Sequence, residues 1–369
     1  MNYKELSKGC LILEDGTRFN GFIFGYSNVV CSQVVFNTSM AGYPDIITDP
    51  SNTGLLVCIT YPTIGNYGFP AAQEYVCGTG TSGRKYPVLN NLESSQATIK
   101  ALITCDYSQE YSHWKAECSM GDWMEAHKVT GICGIDTRYL AQILRDKGTM
   151  KAQIVPEGCQ ELDFNKCSCT QENAPECLCT ENIEYKSPVP AGKKVVLLDC
   201  GAGNKLITAL LEKGIDILRV PCCQDFSSYT ADGIVIAGGP GKAEDYSAAV
   251  ENIWKALKGN TPLMGIGLGN NILALAAGAS NVCLGNGHRG HNEPVTIAGG
   301  KKCWISSQNH CQAVDAASLP AGWEVWFTNM NDGSVEGIRC KDKAFYGCQI
   351  APEAASDTMF IIEDFIKNL

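Results

Sequence analysis

The sequence has no apolar run as long as the roughly 18 residues that a membrane-spanning helix needs. Residues 1–6 are mostly polar or charged, so they lack the apolar segment of a secretory signal peptide. We therefore expect a cytoplasmic protein that has no membrane partner.

Clusters of lysine and arginine are also missing. The chain has 29 basic and 39 acidic residues, which gives a net charge of -10. Binding to a phosphate backbone depends on clustered positive charge, so we expect no nucleic-acid partner. Histidine is scarce as well, with five in the chain, and this limits the bases available for catalysis.

Cysteine, in contrast, is abundant, with 20 in 369 residues. In a reducing compartment most of these should be thiols that pack as small hydrophobic side chains. The exception is a polar segment in which Cys167, Cys169, Cys177 and Cys179 form two C-x-C pairs. Four thiolates could hold zinc or an iron-sulfur cluster, but the spacing is not the usual C-x-x-C. We therefore favour a plain linker without metal and keep these four as the alternative.

The length and the 45% apolar content predict two domains with complete cores. Residues 1–152 are rich in predicted strands, and Asp15-Gly16 marks a hairpin turn between residues 11–14 and 18–24. A helix is predicted near residues 136–145. Residues 153–191 form a polar, Cys-rich linker, and residues 192–369 form the second domain.

Within 192–369, predicted strands alternate with predicted helices. Strands are expected at 195–199, 215–220, 233–236 and 262–266, and helices at 204–213 and 246–257. This order is typical of an α/β domain with a doubly wound, mostly parallel sheet, whose ligands bind beyond the carboxyl ends of the strands. Glycine-rich corners follow the strands at those ends.

One of these corners runs from the strand at 262–266 into a helix and carries Gly265, Gly267 and Gly269. Such a turn is typical of a nucleophile elbow, which lifts one side chain above a sheet where backbone N–H groups can hold an oxyanion. Gly267, at its tip, has no side chain to lift. The glycine spacing does not fit a dinucleotide fingerprint, and the corner at 238–242 lacks P-loop spacing.

Together, motifs in both halves resemble the class I glutamine amidotransferases and, over nearly the whole chain, the small subunit of carbamoyl-phosphate synthase. The matching segments are residues 35–43, 48–51, 60–68, 134–138, 239–241, 287–295, 308–310, 331–337 and 352–354. The resemblance implies a β-rich small-subunit domain followed by a class I glutamine amidotransferase domain.

In that family, an elbow cysteine attacks the side-chain amide of glutamine, a histidine acts as the base, and ammonia passes to the large subunit. A thiolate attacks well when an imidazole and a helix N-terminus lower its pKa. Here Gly267 stands at the nucleophile position and Ala351 at the histidine position, while Glu353 is retained. The resemblance therefore implies a small subunit that has lost glutamine hydrolysis.

The resemblance also marks a remnant of the glutamine pocket. Some residues match the family's ligand-holding positions, and others depart from them. The matching residues are Ser39, Gly239, Gly241, Leu268 and Asn309, and the altered ones are Asn271, Cys311 and Gln312. By the same resemblance, ATP and its metal belong to the large subunit, so we expect no cofactor in this chain.

Our main hypothesis is a pseudoenzyme that forms a heterodimer with the carbamoyl-phosphate synthase large subunit, in arginine or pyrimidine synthesis. A first alternative is a non-catalytic regulator that binds glutamine or another amino acid. A second is a rewired glutaminase that uses Cys311 or Cys348. Adjacent residues of a strand point to opposite faces, which makes His310 a poor base for Cys311.

Overall fold

The computed structural model describes residues 6–167, 179–189 and 191–369. Its contacts divide the chain into two compact units. The first comprises Met1–Gln73 and Asn91–Glu172, and the second comprises Glu74–Asn90 and Asn173–Leu369. Among the residues described, no helix is both long enough and apolar enough to cross a bilayer.

The strands are β1 (Ser7–Leu13), β2 (Arg18–Gly25), β3 (Val30–Asn37), β4 (Leu56–Ile59), β5 (Thr63–Ile64), β6 (Phe69–Pro70), β7 (Glu74–Gly80), β8 (Lys85–Leu89), β9 (Ala101–Ile103), β10 (Asp106–Tyr107), β11 (Ala116–Cys118), β12 (Thr130–Cys133), β13 (Met150–Pro156), β14 (Ile183–Tyr185), β15 (Lys193–Asp199), β16 (Ile215–Pro221), β17 (Gly233–Ile236), β18 (Leu263–Ile266), β19 (Asn281–Ile297), β20 (Cys303–Val314), β21 (Trp323–Asn329), β22 (Val335–Cys340) and β23 (Phe345–Cys348). The helices are α1 (Tyr43–Thr48), α2 (Met120–Ala126), α3 (Thr137–Lys147), α4 (Asn204–Glu212), α5 (Ser247–Ala256), α6 (Leu268–Ala277) and α7 (Phe360–Asn368).

The first unit is built on a closed barrel with the strand order β1-β13-β3-β4-β9-β12-β2. The predicted hairpin is confirmed, since β1 pairs antiparallel with β2 and Gly16 takes the positive φ of 87° that the turn requires. The predicted helix is α3, which begins after Asp136, whose carboxylate accepts a hydrogen bond from the backbone N–H of Tyr139 at 2.9 Å. Leu140, Ile143 and Leu144 of α3 pack into the same core as the barrel strands.

The second unit contains a sheet whose centre is the parallel set β16-β15-β17-β18-β23. Its antiparallel flank on one side is β22, β21, β19 and β20. Alternate residues of β15 enter different cores: Val195 and Leu197 pack with α4 and α7, whereas Val196 and Leu198 pack with α5 and α6. Helices therefore cover both faces, and the predicted doubly wound α/β fold of this half is confirmed.

The far edge of this sheet comes from a part of the chain that the sequence analysis assigned to the first domain. The hairpin β7–β8 joins the second unit, because β7 pairs antiparallel with β14, at Ile183 with Gly80 and Glu184 with Thr79. The β14 strand itself falls inside the predicted linker and pairs with β16. Strand pairing between distant segments accounts for this difference, and local sequence patterns carry no information about it.

The Cys-rich segment is only partly described. Cys169 and Cys177 lie outside the described residues. Cys167 forms a disulfide with Cys31, so its sulfur cannot serve as the thiolate ligand that the metal alternative requires. Cys179 is a buried thiol whose Sγ lies 2.7 Å from the Glu181 carbonyl oxygen. The four predicted ligands are therefore not brought together as a set of thiolates.

A buried ion pair closes the carboxyl end of β15. Both Nε and Nη2 of Arg219 donate to Asp199 Oδ2, at 2.9 and 2.7 Å. The other carboxylate oxygen of Asp199 accepts the backbone N–H groups of Gly201 and Ala202, at 3.1 and 2.8 Å. Burial opposes the charge on Arg219, but the Asp199 carboxylate outweighs it and raises the pKa of the guanidinium. The pair holds the chain where it turns towards α4.

Candidate functional site

The turn between β18 and α6 has the geometry of a nucleophile elbow. Gly267 has φ 55° and ψ -119°, a backbone conformation that residues other than glycine adopt only under strain. Its N–H donates to the Cys348 carbonyl oxygen at 2.8 Å, and its own carbonyl accepts from the Asn270 N–H at 3.0 Å. The backbone therefore keeps the conformation that would present a nucleophile at a helix N-terminus.

The tip of this turn also has room for a side chain at Gly267. A Cβ atom added to Gly267 would lie 3.6 Å from the Gly238 Cα, an ordinary van der Waals contact. The two neighbouring glycines differ, because a Cβ on Gly265 would lie 2.5 Å from the Gly269 carbonyl oxygen and one on Gly269 would lie 2.2 Å from the Ile236 carbonyl oxygen. Packing thus requires glycine at 265 and 269, whereas at 267 only the backbone conformation disfavours a side chain.

This difference predicts the effect of alanine in α6. Gly269→Ala should lower the free energy of unfolding by about 1–3 kcal/mol, because the new methyl group would overlap backbone atoms at the end of β17. Alanine normally stabilises a helix relative to glycine by about 1 kcal/mol, so the predicted sign is opposite to helix propensity. Urea unfolding of the variant and wild type measures the difference.

Gly285→Ala is the matched control, because no described atom lies within 4 Å of the Cβ position there and φ is not positive. We expect its unfolding free energy to stay within about 0.5 kcal/mol of wild type. A Gly269→Ala variant at least as stable as wild type would contradict the packing argument.

The predicted histidine position lies where β23 ends. Ala351 donates its N–H to the Ser307 carbonyl oxygen at 3.0 Å and begins a 3-10 turn, Pro352–Ala354, that contains the half-buried Glu353. The methyl group of Ala351 can neither accept nor donate a proton. At these two positions the chain thus has a carboxylate, from Glu353, and no imidazole that this carboxylate could orient.

Asn271 and Gln312, two of the three residues that the sequence analysis assigned to the altered pocket, are joined through Gln349, which the sequence analysis did not single out. Its amide nitrogen contacts the Asn271 side-chain oxygen and donates to the Gln312 carbonyl oxygen at 3.1 Å. The side chain of Gln312 accepts from the Ala243 N–H at 3.1 Å and donates to Glu244 at 2.8 Å. The amide nitrogen of Gln349 and the side chain of Gln312 are thus paired within the protein, whereas Gln349 Oε1 is buried without a described hydrogen-bond partner.

The remaining predicted pocket residues are placed as follows. Gly239 lies against the end of β15, where an added Cβ would be 2.0 Å from the Cys200 carbonyl oxygen, and Gly241 has a positive φ of 81°. Leu268 is buried at the start of α6, and Asn309 lies on β20 opposite Arg289. Ser39 belongs to the first unit, where it is buried and its N–H donates to Asn37 Oδ1 at 2.8 Å.

A second polar cluster lies in the antiparallel part of the same sheet. It consists of His288 on β19, His310 on β20 and Glu336 on β22, all buried, with Asp332 beside them. Burial opposes protonation of His288, but Glu336 and Asp332 outweigh it and raise the pKa of the ring to about 9. Burial likewise opposes ionisation of Glu336, but His310 and His288 lower the pKa of the carboxyl to about 2.

Among the residues described, no hydrogen bond joins Cys311 or Cys348, the thiols of the rewired-glutaminase alternative, to a histidine. The ring nitrogens of His310 face the Gln312 carbonyl oxygen at 2.9 Å and Gln308 Oε1 at 3.0 Å. The Cys348 thiol is fully buried and lies 3.4 Å from the Ile350 carbonyl oxygen. Burial raises the pKa of Cys348, and the Glu353 charge raises it further.

We therefore expect Cys348 in the native protein to react with iodoacetamide at least about 100-fold more slowly than the half-buried Cys311, since only the thiolate attacks. Peptide mass spectrometry after timed labelling measures each site separately. In urea the two rates should converge, which controls for the local sequence. Rapid native labelling of Cys348 would show an ionised thiol and contradict the expectation.

Comparison with known proteins gives matches over both halves of the chain. Residues 11–154 match the family profile of the carbamoyl-phosphate synthase small chain, CPSase domain, and residues 196–369 match that of glutamine amidotransferase class-I. The carbamoyl phosphate synthase arginine-specific small chain of Debaryomyces hansenii is 34% identical over 380 residues, which cover 99% of this chain and 86% of that protein.

Two longer relatives also align. Human carbamoyl-phosphate synthase (ammonia), mitochondrial, is 38% identical over 363 residues, which cover 97% of this chain and 23% of that protein. Multifunctional protein pyr1-3 of Dictyostelium discoideum is 36% identical over 389 residues, which cover 100% of this chain and 17% of that protein. The chain therefore spans less than a quarter of the length of these two proteins.

Proposed function

This chain belongs to the carbamoyl-phosphate synthase small-chain family, and from that premise we propose that it acts as a small subunit that pairs with a large chain without hydrolysing glutamine. The observation that carries the proposal is the elbow at Gly267. Its backbone conformation and space are those of a nucleophile turn, but it has no sulfur. Without a nucleophile and a base, a thioester cannot form from glutamine.

In this proposal, nitrogen reaches the large chain as free ammonia. The name of the human relative specifies ammonia, which supports this nitrogen source for a protein of related sequence. The name of the Debaryomyces relative specifies arginine, which favours arginine synthesis over pyrimidine synthesis as the pathway. The large chain would hold ATP and its metal, and the small chain would contribute its surface.

A cavity of 730 Å³ in the first unit supports pairing through this half of the chain. It is lined by Thr60, Pro62 and Thr63 from one of the family motifs and by residues 134–138 from another. The cavity lies where β4, β9 and β12 end, so two motifs far apart in sequence share one surface. Arg138, exposed at the start of α3, offers a positive charge to a partner there.

The test is to mix the purified chain with its large chain and to compare nitrogen donors. We expect a stable complex that makes carbamoyl phosphate from ammonium, and no product from glutamine above the blank. Product can be measured by coupling to citrulline formation. Equal rates with glutamine and ammonium would refute the proposal, and so would the absence of a complex at micromolar concentration.

Pairing itself can be tested with two variants of α3. Arg138→Glu should weaken binding to the large chain by at least about 10-fold. A loss of this size corresponds to more than about 1 kcal/mol, the threshold above which an interface residue contributes substantially to binding. Arg145→Glu, an exposed arginine two turns further along the same helix, should leave binding unchanged. Equal effects of the two variants on binding would contradict an interface located at the cavity.

A further inference from the structure

The cluster of His288, His310 and Glu336 brings metal-ligating atoms together from three strands. One ligand atom of each residue lies within 4.8 Å of the other two. Glu336 is fully buried, and each of the two histidines is 8% exposed. Gln308, itself 3% exposed, adds a fourth polar side chain to the cluster.

The distances inside the cluster are short. His288 Nδ1 lies 3.0 Å from Glu336 Oε1 and 3.2 Å from Gln308 Oε1. His310 Nε2 lies 3.0 Å from Gln308 Oε1 and 3.2 Å from Glu336 Oε2. Carboxylate and amide oxygens can only accept hydrogen bonds, so each of these contacts needs a proton or a cation between its two atoms.

The outer nitrogen of each ring indicates where the proton of a neutral imidazole would be. His310 Nδ1 lies 2.9 Å from the Gln312 carbonyl oxygen, which can only accept, so Nδ1 carries hydrogen and Nε2 keeps a lone pair. His288 Nε2 faces Asp332 Oδ2 at 3.0 Å, which places its hydrogen on Nε2. Asn329 Nδ2 lies 3.3 Å from His288 Nδ1, as a donor to a lone pair would.

In this tautomeric state, the two lone pairs point at the oxygens of Glu336 and Gln308. Outer contacts hold those oxygens in place: Ser334 donates to Glu336 Oε1 at 2.9 Å, and Gln308 donates its amide nitrogen to Ser306 at 3.1 Å, which turns Oε1 inward. Glu336 Oε2 is buried, and its described neighbour is His310 Nε2 at 3.2 Å, which has no hydrogen to donate in this tautomeric state. A cation would satisfy this oxygen and the Nε2 lone pair of His310, and it would take the Nδ1 lone pair of His288 from the 3.3 Å contact with Asn329.

We propose that this cluster is a binding site for a divalent metal ion of the zinc class. The ligands are His288 Nδ1, His310 Nε2, the Glu336 carboxylate and Gln308 Oε1. Two imidazoles and a carboxylate suit zinc and its transition-metal neighbours, whereas magnesium and calcium prefer sites made of oxygen alone. Four protein ligands make a closed, structural site, which ties β19, β20 and β22 together.

The contacts behind the ligands follow the pattern of known metal centres. A histidine that ligates a metal usually donates its other N–H to a carboxylate or a backbone carbonyl, which fixes the tautomer and the ring orientation. His288 has a carboxylate in this position, from Asp332, and His310 has a carbonyl, from Gln312. Both rings therefore have an outer partner of the type that metal centres use.

The experiment uses the full chain carrying Cys169→Ser and Cys177→Ser, so that thiolates of the linker do not compete for metal. The protein is stripped with a chelator, dialysed against Zn²⁺ and analysed by plasma mass spectrometry. We expect one retained equivalent. Cobalt in place of zinc should give visible d–d bands without the near-ultraviolet charge-transfer band of thiolate ligation.

Variants separate a metal site from a buried hydrogen-bond network. Asp332→Asn, at an exposed position that should not disturb folding, should weaken zinc binding about 10–100-fold, the range found for outer partners of metal ligands. Glu336→Gln should abolish retention of zinc. His291→Gln, on the exposed face of the same strand, should leave binding unchanged.

Failure to retain an equivalent of zinc would overturn the proposal and assign the inner protons to the two rings. Zinc retained with unchanged affinity in Asp332→Asn and Glu336→Gln would overturn it too. Circular dichroism of each variant is the control for an intact fold. The outcome is independent of the nitrogen-donor experiment, because neither glutamine nor the large chain takes part.

Discussion

Wild-type protein should release no ammonia from glutamine above a buffer blank, whereas the double variant Gly267→Cys/Ala351→His should do so. The turn already has the φ and ψ of an elbow. A Cβ atom at position 267 would make only an ordinary contact, 3.6 Å from the Gly238 Cα. A cysteine there would stand at the N-terminus of α6, where the helix dipole lowers the pKa of a thiol. A histidine at 351 would supply the base.

The expected gain is large. Loss of the nucleophile or base of a catalytic triad costs up to about 10⁶-fold in kcat, so recovery of even part of it should exceed about 10³-fold. The matched control is Gly267→Ala/Ala351→His, which introduces the same backbone strain without sulfur. Ammonia release is measured by coupling to glutamate dehydrogenase.

Two outcomes would contradict this account of the site. Hydrolysis by the wild type that disappears in Cys311→Ala or Cys348→Ala would show that another thiol is the nucleophile. A double variant no faster than its alanine control would show that the loss of function extends beyond the two missing groups. Gln349, which contacts Asn271 and Gln312, would then be the next residue to substitute.

Arg219→Ala should destabilise the second unit by about 3–5 kcal/mol, the usual cost of leaving a buried charge without its partner. The side chain of Asp199 is fully buried, and that of Arg219 is 14% exposed. Without the guanidinium, Asp199 Oδ2 would lose both of its donors, at 2.9 and 2.7 Å. Urea unfolding followed by circular dichroism measures the loss.

Lys186→Ala is the matched control, because Lys186 also forms an ion pair with one residue on β16. Lys186 pairs with Asp216 at 2.8 Å, but its side chain is 69% exposed, and such surface pairs contribute at most about 1 kcal/mol. We therefore expect a small change in the unfolding free energy. If the two variants lost equal stability, burial would not be what gives the Asp199–Arg219 pair its importance.

Local sequence patterns predicted the central strands and helices of the second unit well. The strand at 233–236 is β17, and the helices at 204–213 and 246–257 correspond to α4 and α5. These elements have regular apolar spacing and glycine-rich ends, which depend on neighbouring residues alone. The elbow was predictable for the same reason, since strand, turn and helix are contiguous.

Features that depend on distant segments were not predictable. The cluster of His288, His310 and Glu336 combines residues from three strands, and no spacing motif connects them. The disulfide between Cys31 and Cys167 spans 136 residues. The partners of Asn271 and Gln312 were equally hidden, because Gln349 reaches them only after β23 is in the sheet.

The membership of β7 and β8 in the second unit has a consequence for the evolution of this chain. The polypeptide crosses between the units three times, at 73–74, 90–91 and 172–173. A split of the gene at any single point could not yield two self-sufficient halves. A fragment starting at residue 192 would lack β14, β7 and β8 and leave β16 with an open edge, where other chains could add strands and aggregate. The sheet of the second unit is therefore built from both halves of the chain.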